Sequence, residues 1–194
     1  MRTGLHYVGG QPHLVRLLLV QALASLATGG TSAMLIVLAG RHFGLPPAGF
    51  AWFIGAIGAG ALLGPLIPNA LGADYRTGRW LYTPYVIRGV GDVLLGIVTP
   101  VPAALGLLFV YGLNTSTGMV VFSSMLQTRA PDEVRGRAFT LFDMTWGACR
   151  LLSLLAGGVV ADAVGIQAVY WAGGALLVLA GAIGLSAPMR PRTA

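Results

Sequence analysis

Six apolar runs, each about long enough for a helix to cross a bilayer, make up most of the chain: Leu14–Ala39, Phe50–Leu71, Trp80–Val98, Val101–Met125, Ala138–Ala161 and Ala168–Ala187. Crossing about 30 Å of hydrocarbon takes roughly 20 such residues at ~1.5 Å of rise each. In that medium every backbone N–H and C=O must be bonded within the protein, so apolar runs of this length are read as helices. The residues between them supply the Gly, Pro and charge that end helices: Arg41-His42-Phe43-Gly44-Leu45-Pro46-Pro47, Asp74 to Arg79, Thr99-Pro100, Gln127 to Arg137, and Asp162 to Gln167. The expected fold class is therefore an all-α membrane protein of six transmembrane helices, a single bundle over residues 1–194 with no soluble domain.

Composition agrees, since only 9% of residues are charged where a soluble globule carries about 25%. The 29 glycines and a mean hydropathy of +0.78 suit closely packed transmembrane helices. A formal charge of +6 does not point to nucleic acid, because the arginines lie between apolar runs rather than clustered with aromatics on one face. Cys149 has no second thiol, which excludes a disulfide framework and a cysteine-rich metal site. The segment Met1 to Tyr7 lacks a short apolar core with a small-residue cleavage site, so no removable leader is expected.

Arginine placement sets the orientation, because cytoplasmic loops retain Arg and Lys. With the N-terminus inside, Arg2, Arg16, Arg76, Arg79, Arg129, Arg135, Arg137, Arg190 and Arg192 are cytoplasmic and Arg41 is outside. Both termini are then expected in the cytoplasm, with the protein in the cell membrane. A repeat is also visible: the second run ends Gly72-Ala73-Asp74 followed by Gly78, and the fifth ends Val160-Ala161-Asp162 followed by Gly165. Two three-helix blocks pointing opposite ways across the membrane form the inverted 3+3 repeat of many secondary transporters. A chance recurrence of Ala-Asp at helix ends is the alternative.

The block Ala130-Pro131-Asp132-Glu133-Val134-Arg135-Gly136-Arg137-Ala138, continuing to Gly157-Gly158-Val159-Val160-Ala161-Asp162-Ala163-Val164-Gly165, resembles the loop before helix eleven and the exit before helix twelve of the major facilitator superfamily. The likeness is to the C-terminal six-helix half of a drug- or siderophore-efflux exporter. Asp74-Tyr75-Arg76-Thr77-Gly78-Arg79 resembles the family's loop motif G-x-x-x-D-R-x-G-R, with Tyr75 displacing the basic residue and Ala70 standing where the first Gly belongs. The resemblance implies a gating loop of Asp74, Arg76, Gly78 and Arg79 working against Arg135, Gly136 and Arg137. Asp74 is expected against the positive N-terminal end of the helix starting near Gly136-Arg137, a contact that rocking would break. The complete family fold has twelve helices. The implied partners are thus the lipid bilayer, a small-molecule substrate, and an N-terminal six-helix half or a second copy of this chain.

Ionisable groups at membrane depth are costly and mark candidate pathways. Arg88 and Asp92, four apart on the third run, are read as an intramembrane ion pair. The resemblance makes them structural, because it sets the ninth helix outside the cavity. On the fifth run Asp143, Trp146, Arg150, Ser153 and Gly157 share a face at spacings of three and four. Arg150 sits about thirteen residues beyond Arg137, roughly 20 Å along the helix, and is the first candidate to touch substrate. A packing clamp onto the other half is the alternative. Gln21, Ser25, Thr28 and Ser32 share a face of the first run, and Asn114, Thr117 and Ser124 one of the fourth. By resemblance these line the cavity; hydrogen bonding between helices is the other reading.

An enzyme is not expected. The histidines His6, His13 and His42 fall in loops or at a helix edge, no Gly-x-Ser-x-Gly nucleophile site exists, and no phosphate-binding Gly-x-x-x-x-Gly-Lys-[Ser/Thr] loop is present. No cofactor is expected. The expected function is ion-driven transport, with proton coupling implied by the resemblance. A non-transporting remnant and a homodimeric six-helix carrier are the competing readings.

Overall fold

The computed structural model of the chain describes residues 10, 12–70, 78–129 and 132–186. Helices α1 (Pro12–Ala33), α2 (Leu35–Arg41), α3 (Phe50–Leu63), α4 (Leu66–Ala70), α5 (Gly78–Leu95), α6 (Val101–Arg129), α7 (Asp132–Ala163) and α8 (Ile166–Leu185) follow in order, with a single 3-10 turn at Pro47–Gly49 and no strand among the described residues. The first apolar run is broken at Met34, whose ψ of 4° leaves the helical range. The second is broken after Gly64, where Pro65 has no N–H to continue the ladder.

Two boundaries differ from the sequence expectation. The connection expected over Gln127 to Arg137 is largely helical, since α6 runs to Arg129 and α7 opens at Asp132. Asp132 and Glu133 are residue types that a helix N-terminus favours. Secondly, five segments among the described residues are long and apolar enough to cross a membrane: Leu14–Ala33, Pro47–Pro68, Val101–Ser124, Phe139–Ala163 and Ile166–Leu185. The third apolar run, α5, falls short because its 18 residues include Arg79, Arg88 and Asp92. It is nonetheless a continuous helix packed inside the bundle.

The five principal helix pairings are α5 with α8, α1 with α7, α3 with α6, α1 with α8, and α5 with α6. Exchanging the first three spans for the last three maps this set onto itself. The α5–α8 pair maps to itself, α1–α7 to α6–α3, and α1–α8 to α6–α5. Packing therefore carries the two-fold relation of a repeat. At the self-mapped pair the backbones meet at glycine: a Cβ on Gly89 would sit 2.6 Å from the Gly174 carbonyl oxygen. The turn into α8 also requires glycine, with Gly165 at φ +107°.

The pairings string the helices into an arc, α3–α6–α5–α8–α1–α7, whose ends α3 and α7 make no extensive contact among the described residues. Helices α5 and α8 form its back. Two larger apolar clusters fill it at different depths, beside a small third one of Ala24, Ala27 and Leu177. One gathers Leu38, Phe53, Leu95, Leu108, Ile166 and Tyr170. The other gathers Leu17, Val20, Leu81, Tyr82, Val121 and Phe142. Between them lie most of the buried polar side chains, among them Thr28, Thr31, Arg88, Asp92 and Thr117.

Candidate functional site

The polar face of α1 looks into the bundle. Tyr85 donates its hydroxyl to Gln21 Oε1 at 3.2 Å, and fully buried Ser25 donates to its own helix at the carbonyls of Gln21 and Ala22, 2.8 and 3.0 Å away. Serine and threonine hydroxyls commonly close such bonds in a dry interior, where no water competes. Ser32, further along, meets Tyr111 across the helix gap at 3.1 Å.

On α6, Thr117 donates to the Gly64 carbonyl at 2.7 Å and to Leu113 at 2.8 Å, and so bridges the break between α3 and α4. Asn114 donates to Val110 O at 2.8 Å. Both residues border a cleft of about 320 Å³ whose other walls are chiefly apolar, including Trp80, Pro84, Ile87 and Leu113. Ser124 is half-buried.

The expected face of α7 divides in two. Ser153 donates to Leu26 O and accepts the Gly30 N–H at 2.8 Å, and Gly157 lies against Gly30, so this part is closed against α1. Asp143 and Arg150 are exposed and Trp146 is half-buried, with no hydrogen bond or ion pair to any of the three among the described residues. The expected gating loop is only partly in view. Asp74 and Arg76 lie outside the described residues, and so does any contact of Asp74 with α7. Gly78 and Arg79 open α5 with Arg79 exposed, and Gly136 is exposed in the first turns of α7. Arg135 and Arg137 lie in the same turns, their side chains outside the described residues.

The densest polar cluster surrounds Arg88. Its Nε stands 4.0 Å from Asp92 Oδ2, with side chains 9% and 1% exposed. Nη2 donates to the Tyr111 hydroxyl at 2.7 Å, Nη1 reaches Thr115 Oγ1 at 3.4 Å, and the guanidinium carbon lies 4.0 Å from the centre of the Tyr111 ring. Ser32 completes the group through Tyr111. Sequence reasoning identified Arg88 and Asp92 but not Tyr111 or Thr115; these share a face of α6 at (i, i+4) spacing, which does not say that the face meets Arg88.

A second contact set ties together one end of the bundle. The Gln167 amide donates to His42 Nδ1 at 3.1 Å, which assigns the ring proton to Nε2, and Nε2 donates to Val98 O at 2.9 Å. Nearby, Arg41 and Asp162 approach to 3.5 Å but are 63% and 77% exposed. Solvent screening makes this pair weak. Arg41→Ala is expected to change thermal stability by less than about 1 kcal/mol in a detergent melting experiment.

The sequence profile of the Major Facilitator Superfamily matches residues 17–194. The chain belongs to the major facilitator superfamily. Its arc of apolar helices is one half of that family's all-α, multi-pass membrane fold. Among curated proteins it is similar to the MFS-type transporter YfiS of Bacillus subtilis, 27% identical over 95% of this chain and 45% of that protein. It is also similar to the multidrug efflux pump Tap of Mycolicibacterium fortuitum, 28% identical over 95% of this chain and 45% of the pump, and to Tap of Mycobacterium bovis, 26% identical over 73% and 34%. The chain therefore spans less than half the length of these relatives. No solved structure matches it significantly.

Proposed function

We propose that this chain is the C-terminal six-helix half of a secondary active exporter. It moves small amphipathic molecules such as drugs, macrolides or siderophores by alternating access against an N-terminal six-helix half. The observation that carries the reading is the open arc. Its end helices α3 and α7 each pack mainly against one neighbour, and α7 presents Asp143, Trp146 and Arg150 along the uncovered side. Charged groups at membrane depth face protein or water rather than lipid, so this side is where a second bundle and a solute path belong. The similarity to pumps named for multidrug efflux supports export, and the family supports proton coupling. The cell membrane, with both termini cytoplasmic, is the location that the arginine pattern supports.

The test is accumulation of ethidium in an efflux-deficient bacterium that expresses this half together with an N-terminal six-helix half. Accumulation falls on expression and is restored by a protonophore. Arg150→Ala abolishes the efflux at unchanged membrane abundance. Unaltered ethidium accumulation in the wild-type strain overturns the export reading, and normal efflux by Arg150→Ala removes Arg150 from the pathway.

A further inference from the structure

Arg88 belongs to a helix at the back of the arc, and its side chain, 9% exposed, reaches toward the gap between α6 and α1. The guanidinium passes between α6 and α1 and meets Tyr111, whose hydroxyl also contacts Ser32 of α1, and Thr115, which is exposed. Helices α1 and α6 hardly touch each other. They are also the two helices that the two-fold relation exchanges. The gap between them therefore lies at the junction of the two repeats and at the depth between the two apolar clusters. Transporters built from inverted repeats bind solutes at such positions.

The Arg88–Asp92 pair is not closed. A guanidinium and a carboxylate that hold each other frequently make two parallel bonds of about 2.7–2.9 Å. Here the approach is 4.0 Å, Arg88 Nε has no hydrogen-bond partner among the described residues, and Asp92 has only the Thr31 hydroxyl of α1 beside it, too far for a normal bond. Of five N–H donors, Arg88 commits one to a short bond with Tyr111 and one to a long contact with Thr115. Buried donors left this way cost free energy unless an acceptor reaches them. The edge carrying the long contact lies against the exposed Thr115.

We propose that Arg88, with Tyr111 and Thr115, is a binding site for the carboxylate of an amphipathic anion entering from the concave side of the arc. Asp92 is the internal counter-charge that takes Arg88 back when the ligand leaves. An entering carboxylate replaces the Thr115 contact on Nη1. The Tyr111 hydroxyl and ring keep the guanidinium plane in place, and the rest of the molecule lies along the concave side of the arc. Arginine suits this role better than lysine because its planar fork matches a carboxylate. The inference depends on the exporter reading only for how a solute reaches the site.

Equilibrium dialysis of radiolabelled salicylate against the purified full chain in lipid nanodiscs tests it, with benzyl alcohol and benzylamine as neutral and cationic comparisons. The wild-type chain binds salicylate saturably and in preference to both. Arg88→Gln and Arg88→Lys weaken binding by about tenfold or more, the loss expected for a charge-assisted hydrogen bond. Asp92→Asn strengthens it, because a repelling carboxylate has gone, and salicylate raises the melting temperature of that variant more than that of the wild type. A role in packing alone predicts no gain of that kind. If Arg88→Gln does not yield monodisperse protein, Arg88→Lys and the exposed Thr115→Val decide, and both are expected to bind less. Wild-type binding no better than benzyl alcohol, an Arg88→Lys chain that binds as tightly as wild type, or no gain in Asp92→Asn overturns the proposal. Arg88-dependent salicylate binding without any ethidium efflux would instead remove the exporter reading and leave this site standing.

Discussion

Asp92→Ala is expected to lower the stability of the purified chain by about 3–5 kcal/mol, whereas the double substitution Arg88→Met with Asp92→Leu costs much less. Asp92 is 1% exposed, and Arg88 has no other carboxylate within ion-pair distance among the described residues. Deleting Asp92 leaves a guanidinium buried in the bundle with no counter-charge. Replacing both groups by apolar side chains of similar volume removes the charge along with its need for a partner, and Tyr111 keeps its contact with Ser32. Melting curves in detergent for Arg88→Met, Asp92→Leu and the double variant give the coupling between the residues. A value near zero would mean that the 4.0 Å separation carries no electrostatic stabilisation, as at the exposed Arg41–Asp162 pair.

The helices were legible in the sequence because hydropathy over some 20 residues is set by the bilayer and not by tertiary detail. What hydropathy does not encode is how one helix crosses another. The face containing Asp143, Trp146, Arg150, Ser153 and Gly157 was readable from period alone. Its division into a closed part at Ser153–Gly157 and an open part at Asp143–Arg150 follows from where α1 crosses α7. The breaks at Met34 and Gly64 split runs that read as continuous, although Pro65 marked the second. Arg88 shows a different limit. The position of its helix in the family sets it behind the cavity, but a side chain this long crosses the thickness of a helix layer, so the backbone does not decide which surface the charge serves. Tyr111 was hidden for a simpler reason: a tyrosine within an apolar run reads as core until its hydroxyl is seen to have partners. The two-fold relation, faint as an Ala-Asp echo, is plain in the packing because each helix pairing has its counterpart.

Gly112→Ala and Gly60→Ala are each expected to destabilise the bundle by about 1–3 kcal/mol, although alanine is the better helix former. At the crossing of α3 and α6 the two chains approach so closely that a Cβ on Gly112 meets the Ile57 carbonyl and one on Gly60 meets the Phe109 carbonyl. A flexible side chain moves aside at little cost. A carbonyl within a helix does not, so the helices must separate. Gly106→Ala and Gly91→Ala provide the comparison, because no atom lies within 4 Å of the added methyl at either position. Those variants are expected to melt at or slightly above the wild-type temperature. The two clashing substitutions should also be less than additive, since the separation that relieves one relieves the other. Equal melting temperatures for Gly112→Ala and Gly106→Ala would refute the close crossing. The consequence reaches beyond stability: α3 is an end of the arc and is anchored chiefly through α6. Loosening this one crossing frees a wall of the concave side, so Gly112→Ala is expected to impair salicylate binding at Arg88 only to the extent that it unfolds the bundle, yet to impair transport at temperatures where the bundle is still folded.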